Sequence, residues 1–454
     1  MLLHKNILNQ HYHLTGDTGA MKTSLVVGPL ATQLMGAGNC SVVVIDLKGD
    51  MALFETCRIE AKNAGLPFRW FTTERGKSSF VFNPFEQSYH AHVSPEQESE
   101  TLLQGMGLEF GVDYGRSYFS SQIEMALKTV MRKLNLKSAA ALHDLLENPS
   151  VSNLLSARDI KDASHLKAVA NRLMTIAPLN AVLPARPTQR IEVEDVLKTP
   201  QVVYLNLKSA QEPLAAATIA RLFLWSMFAC AAHSPARDNR AYLFIDEFQQ
   251  IIIDGIRLVF EQARGLGMTL IPVHQTVGQL SRTGADLLDT VNSCTAVKHV
   301  LRASDIKTVK GIEDMSGLQT YHTFTWAQDS TRGSGIIDPS EAVEGMLQIS
   351  ESLGPALDRN TLLAVSADPL ASFVRFTTSE GYTQFGGKTT LLQSVFPMDL
   401  EIHERRERAR WPILPEEPTD ESVAIPPNAP VPPSPTSPNG RPTNWDDRFR
   451  NDSL

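Results

Sequence analysis

Cysteine is scarce and poorly spaced for chemistry: the chain has four in 454 residues, at positions 40, 57, 230 and 294. No C-x-x-C pair exists and no histidine accompanies one at ligand spacing. That excludes a disulfide framework and a zinc site as organising features and fits a reducing, cytoplasmic compartment. Basic charge is not in excess either. Lys and Arg number 42 against 50 Asp and Glu, a net charge of −8, so nucleic acid must be met by a local patch rather than by the field of the whole molecule. No apolar run approaches the roughly 20 residues that cross a bilayer, and the N-terminus lacks the layout of a signal peptide; the chain is expected to be soluble. With 42% hydrophobic residues there is material for one large α/β core carrying an inserted or appended domain.

What is there begins at once. Tyr12-His13-Leu14 reads as a strand end, Gly16-Asp17-Thr18-Gly19-Ala20-Met21-Lys22-Thr23-Ser24 as a glycine loop, and Leu25 to Met35 as a buried helix. Strand, loop and helix in that order make an anion cradle: loop N–H groups and the helix N-terminus face a polyphosphate, Lys22 reaches its β and γ oxygens, and the Thr23 hydroxyl coordinates Mg²⁺. One position departs from G-x-x-x-x-G-K-[ST]. Met21 stands where the second glycine belongs, and if the backbone there needs φ > 0 the side chain costs about 1–3 kcal/mol or obstructs the cradle.

A second strand at Ser41–Ile45 runs into Asp46-Leu47-Lys48-Gly49-Asp50. Charged residues at the carboxyl end of a parallel strand sit where open α/β sheets bind ligands, so Asp46 and Lys48 are either candidate site residues or solvated turn residues. A helix over 51–65, a strand near 68–71 and Phe82-Asn83-Pro84-Phe85 follow. From Ser94 the pattern turns helical, opening on the capping box Ser94-Pro95-Glu96-Gln97 and keeping helical spacing through Ile123, Leu127, Val130 and Leu134 and again through Leu166, Val169, Leu173 and Ile176. This is an all-α insertion. Sheet character returns at 202–207, followed by a long helix over 213–232 whose Phe223, Trp225 and Phe228 read as core, and then the strand 241–245 ending in Asp246-Glu247. Beside the glycine loop, Asp246 can hold the Mg²⁺ shell through water and Glu247 can polarise an attacking water. The strand 268–273 ends at His274-Gln275, where the Gln275 amide can contact a γ-phosphate or the lytic water, and His274 faces the other way.

Gly386-Gly387-Lys388-Thr389-Thr390 imitates a second phosphate loop without its leading glycine and is read as a turn. The histidine pairs His11/His13 and His90/His92 lack a third ligand. Residues 403–410 form an arginine-glutamate helix, Trp411 to Pro442 is proline-rich and expected to be disordered, and Trp445–Phe449 reads as an inert tail or a short docking peptide.

Taken together, Gly16-x-Thr18-Gly19-x-x-Lys22-Thr23, Asp46-x-Lys48-Gly49, Phe82-Asn83-Pro84, Ile245-Asp246-Glu247-Phe248 and Gln275 with Gln279-Leu280 resemble the coupling-protein ATPases of conjugation and type IV secretion, the TraG/TraD group, within the FtsK/HerA class of ring motors. The resemblance covers roughly residues 9–310. It implies a RecA-like P-loop NTPase sheet in two parts, residues 1–93 and 186–400, around an all-α insertion at 94–185, with a tail over 401–454. It implies ATP and Mg²⁺ as cofactors, a hexameric homo-oligomer, and DNA with secretion or relaxosome-type proteins as partners. Lys22 and Thr23 would bind the phosphates and Mg²⁺, Asp246 and Glu247 form the second acidic motif, Gln275 senses the γ-phosphate, and Arg264 is the arginine finger offered to a neighbouring subunit, with Arg302 the second choice. Family members carry an amino-terminal membrane segment absent here, so an inner-membrane location would be peripheral, through a partner.

Two function classes stand. One is an ATP-driven ring motor moving DNA or nucleoprotein, touching DNA through a salt-sensitive loop; the other is a nucleotide-gated or hydrolysis-deficient recruiter in which Met21 has dulled turnover. Lys22, Asp246, Glu247, Arg264 and Gln275 together favour the motor. A small-molecule kinase would want a lid with clustered arginines, which the sequence lacks.

Overall fold

The computed structural model describes residues 5–108, 116–148, 155, 161, 163–181, 189–233, 239–282, 285–327, 346–365, 368, 370–376, 389–393 and 399–414. Its strands are β1 (Tyr12–Thr15), β2 (Cys40–Asp46), β3 (Phe68–Thr72), β4 (Val202–Asn206), β5 (Arg240–Ile245), β6 (Met268–His274), β7 (Ser281–Arg282), β8 (Ala285–Asp286), β9 (Val297–Leu301), β10 (Leu318–Ala327), β11 (Met346–Pro355), β12 (Ala371–Phe376) and β13 (Thr389–Gln393). Nine of these, among the described residues, form one sheet in the order β13-β12-β9-β1-β6-β5-β2-β4-β3. β1 to β6 and β9 run parallel, and β12 and β13 extend the β9 edge antiparallel. The β-branched runs explain this: every residue of β2 is buried, as expected for strands covered by helices on both faces.

The connections between parallel strands are helices with legible ends. Asp50 caps the Met51–Asn63 helix by accepting the Leu53 N–H, and Ser94 and Gln97 close a reciprocal capping box on the Pro95–Met106 helix. From there to Asn180 the described residues contain helices and no strand. Close contacts bind this helical stretch to the segments around the sheet. Asn83, fully buried, donates to the carbonyls of Lys137 and Ala181 at 2.6 and 3.3 Å. The Pro95–Met106 helix also lies so close to the Pro213–His233 helix that a Cβ at Gly105 would stand 2.6 Å from Leu222 Cδ2.

The Pro213–His233 helix corrects one expectation. At 21 residues it is long and apolar enough to cross a membrane, contrary to the reading that no such run exists. Here it is a core helix, with Phe223, Trp225 and Phe228 buried.

Beyond β9 the chain forms the Ile306–Met315 helix, the β10–β11 hairpin, whose Leu318, Phe324, Ile349 and Leu353 are exposed, and the edge strands β12 and β13. Thr389 and Thr390, read as turn, begin β13 and pair with Arg375 and Val374; Gly386 to Lys388 lie outside the described residues. Trp411 is likewise not a loose residue. The Leu400–Glu407 helix lies on Met51–Asn63 through Arg406, which donates to Thr56 Oγ1 at 2.9 Å. Trp411 then stacks on Phe54 with centroids 4.6 Å apart and donates Nε1–H to the Ser78 carbonyl at 2.8 Å. Lys77 Nζ sits 4.6 Å from the same ring. A buried aromatic face beside β3 was available, and an indole with one donor satisfies it. The proline-rich reading from residue 415 onward, and Trp445–Phe449, lie outside the described residues. Trp411→Ala is expected to lower unfolding stability by about 1–3 kcal/mol and to expose the 400–414 segment to limited proteolysis, measured by urea midpoint and cleavage mapping.

Candidate functional site

Because β1 lies between β6 and β9, the loop that leaves it is held from both sides. Gly16 N–H donates to the His274 carbonyl at 3.3 Å and Asp17 N–H to the Arg302 carbonyl at 2.8 Å. Asp17 Oδ2 accepts the Ser304 N–H, and Arg302 Nη2 donates to the Thr18 carbonyl. Beneath the loop, buried His274 donates Nδ1–H to the Thr276 carbonyl at 3.0 Å, leaving Nε2 to accept from His13 Nε2–H at 2.6 Å. Burial holds both imidazoles below their ordinary range, His274 at about 4, so this is a neutral staple between strand ends.

The loop then turns through Gly19, φ 76°, and Met21, φ 53°. The departure seen in the sequence is thus a real one: Met21 occupies the left-handed region, at a cost of about 1–2 kcal/mol for a residue with a Cβ. After it the chain makes a wide π turn over Thr23–Val27 before the Gly28–Ala37 helix. The helix expected from Leu25 therefore begins two residues earlier, as a wider coil. Lys22, half-buried, folds back on its own loop, donating to the Gly16 and Asp17 carbonyls at 2.6 and 3.2 Å. Burial lowers its pKa, while Asp246 and Glu247 pull it back up.

Asp46, Asp246 and Gln275 come together at the same carboxyl edge of the sheet. Asp46 is fully buried and not solvated: Oδ1 accepts the Lys48 and Gly49 N–H groups, and Oδ2 the Asp50 N–H and the Tyr204 hydroxyl, at 2.6 to 2.9 Å. It shapes the turn after β2 with both oxygens engaged, leaving Lys48 exposed. Asp246 is different. Burial, then the carboxylates of Asp46 and Glu247, push it up to about 7, as expected for a buried acid among like charges. Glu247 stands at φ 53°, a second strained residue, and its Oε2 accepts from Gln249 Nε2 and, at 3.4 Å, from Gln275 Nε2. Gln275 Oε1 in turn accepts the Thr18 hydroxyl at 3.0 Å. One amide thus bridges the glycine loop and the second acid. Gln279, seen in the sequence only as part of a pattern, holds that amide's backbone by accepting the Gln275 and Thr276 N–H groups. Tyr204 had no sequence signal, since its partner Asp46 is 158 positions away.

The two arginines separate. Arg302 touches its own loop, as above. Arg264 is exposed and precedes β6, so it lies at the amino-terminal edge of the sheet, opposite Gln275; among the described residues nothing brings it to the cluster.

A family model described as the type IV secretion-system coupling protein DNA-binding domain matches residues 113–343, just over half of the chain. The chain belongs to this family. Among solved structures it is similar to the bacterial conjugative coupling protein TrwBdeltaN70 in its unbound monoclinic form, with a TM-score of 0.60, 14% identity and coverage of 87% of this chain and 86% of that one. It is also similar to the plasmid coupling protein TrwB in complex with ADP and Mg²⁺, with a TM-score of 0.59, 13% identity and 87% of each chain covered. At such identity the likeness is one of fold: a RecA-like sheet with an all-α domain. A comparison with curated proteins found no match.

Two outcomes follow for the coupling-protein site. Met21→Val, adding a β-branch in the left-handed region, is expected to lower stability by about 1–2 kcal/mol, whereas Met21→Gly is neutral or stabilising by up to about 1 kcal/mol; urea midpoints measure both. For Asp246 the native pKa lies above the unfolded value near 3.9, so between the two the native state binds the extra proton and stability falls as pH rises toward 7. Asp246→Asn is expected to flatten that fall, read as urea midpoints from roughly pH 5 to pH 8.

Proposed function

We propose that this coupling protein hydrolyses ATP with Mg²⁺ at subunit interfaces of a homo-oligomeric ring, a hexamer, and uses the turnover to move DNA or nucleoprotein in the cytoplasm, peripheral to the inner membrane through a partner. The observation that carries the reading is the Thr18–Gln275–Glu247 bridge with Asp246 and Lys22 beside it, which links a phosphate cradle to a water-activating acid. The donor set fits the group it would hold: a buried carboxylate at Asp246, in the field of Lys22, at the sheet edge from which the loop carrying the Thr23 and Ser24 hydroxyls emerges. TrwB has been seen with ADP and Mg²⁺ and with a non-hydrolysable ATP analogue, which supports the same ligands here.

Bound Mg²⁺ would supply charge neutralisation for the β- and γ-phosphates. The chain's own residues do the rest. Lys22 leaves the Gly16 and Asp17 carbonyls and turns to the phosphates, which frees loop acceptors and donors together. Thr23 and ionised Asp246 hold the cation's shell. Glu247 accepts the proton of the attacking water, and Gln275, bonded to both sides, reports whether the γ-phosphate is present. Arg264, exposed and away from its own chain's cluster, is assigned by the family resemblance as the arginine finger of a neighbour's site, which would make turnover depend on assembly. The recruiter reading keeps two observations in its favour: Met21 is strained, and Lys22 is folded into the cradle.

Steady-state ATP hydrolysis by the full chain, with and without single- and double-stranded DNA, separates the two. A motor hydrolyses ATP faster with DNA and with rising protein concentration, loses activity in Lys22→Ala and Glu247→Gln, and drops by about 10³-fold or more in Arg264→Ala. Wild-type rates equal to those of Lys22→Ala at every concentration would leave the recruiter.

A further inference from the structure

A cleft of about 560 Å³ opens between the helical stretch and the carboxyl edge of the sheet, lined among others by Arg172, Arg221, Thr218, Ser209 and Gln250. Its volume is in the range of small-ligand sites. Arg221 is out of place in the apolar Pro213–His233 helix, because a guanidinium taken from water is costly unless an anion faces it. The structure supplies only neutral partners. Nε donates to the Gly105 carbonyl and Nη2 to Thr218 Oγ1, each at 3.2 Å. Among the described residues no carboxylate pairs with Arg221 or Arg172, and the charge that acts on Arg221 is another positive one: burial, then Arg172, bring it down to about 10. Room has been left for the group. Gly107, with φ 67°, ends the Pro95–Met106 helix against it, and a Cβ there would stand 3.2 Å from Arg221 Nη2.

We propose that this cleft binds a phosphate-bearing ligand through the Arg172 and Arg221 guanidiniums, with the Ser209 hydroxyl beside them; Thr218, whose hydroxyl donates to the Leu214 carbonyl at 2.8 Å, holds Arg221 in place. Two guanidiniums facing one cleft repel each other when it is empty, and a dianion reverses the sign. The planar fork of arginine matches phosphate oxygens in pairs, and the Ser209 hydroxyl suits a remaining oxygen. The ligand can be a free nucleotide or a phosphate of nucleic acid; the chemistry recognised is the same. The cleft is separate from the glycine loop but not isolated from it. Gln250 lines it, and the Gln250 N–H donates to the Glu247 carbonyl at 2.9 Å, so occupancy reaches the strained turn that carries the second acid.

The test uses the full chain carrying Lys22→Ala, which silences the glycine loop, titrated with inorganic pyrophosphate by calorimetry at low salt. Saturable one-to-one binding is expected, weakened about tenfold or more by a further Arg172→Gln, and similarly by Arg221→Lys, which keeps charge and loses the fork. Arg172 is half-buried on a helix surface, so Arg172→Gln decides the matter if Arg221→Lys does not fold, with thermal melting as the check on folding. Thymidine monophosphate and an oligothymidylate without terminal phosphate, titrated the same way, distinguish the sources: arginine-dependent binding of the oligonucleotide names nucleic acid, and of the monophosphate alone a free nucleotide. Absence of saturable pyrophosphate binding, or an affinity within twofold of the parent in Arg172→Gln, overturns the proposal.

Discussion

A parallel sheet buried on both faces leaves its polar groups nowhere to go except the strand ends, and this constraint organises the molecule. β2 is buried throughout its length and ends on Asp46; β5 is apolar from Ala241 to Ile245 and then meets Asp246 and Glu247; β6 is apolar from Leu270 to Val273 and then meets His274 and Gln275. Because β1 runs between β6 and β9, its glycine loop emerges into the same plane and is tied to both neighbours by backbone hydrogen bonds. Phosphate cradle, acids and bridging amide therefore meet without any long loop having to be ordered for the purpose.

The site so assembled is under two kinds of tension. Met21 and Glu247 both hold left-handed backbone without being glycine, and such strain persists only where the surroundings over-determine it. Asp246 sits among like charges in a buried place and is pushed up accordingly, while Lys22 turns inward to carbonyls. A polyphosphate with its cation, as proposed above, would relieve both at once: the lysine gains an anion and the acid gains a cation. The cleft at Arg221 repeats the theme with opposite sign, a half-buried positive charge beside another positive charge. Core packing places these groups; ligand charge completes them.

Much of this was legible in the chain, and for a local reason. Strand ends, capping residues and the glycine loop are written in consecutive residues, so Ser94 with Gln97, Gly16 to Ser24, and Asp246-Glu247 could be placed by pattern. The resemblance to coupling proteins rested on those same short stretches, and the family match bears it out. What pattern misjudged was exposure. Asp46 stood open between a site residue and a turn residue in water because its turn is polar, and the Tyr204 hydroxyl that bonds it is distant in sequence. Trp411 looked like the start of a loose tail because prolines follow it, while the aromatic face of Phe54 that receives it lies more than 300 positions earlier.

The sequence by itself determined the periodicities, hence the strands and helices, the order in which they occur, and the chemical identity of the loop that follows β1, since each depends on residues within a few positions of one another. Only the tertiary structure decided that Gln275 would join Thr18 to Glu247, that Arg302 would touch its own loop while Arg264 faced away, and that Arg221 would look into a cleft without an acid. Those are relations between side chains hundreds of residues apart, set by which strand lies beside which, and backbone pairing in a sheet is what converts distance along the chain into contact.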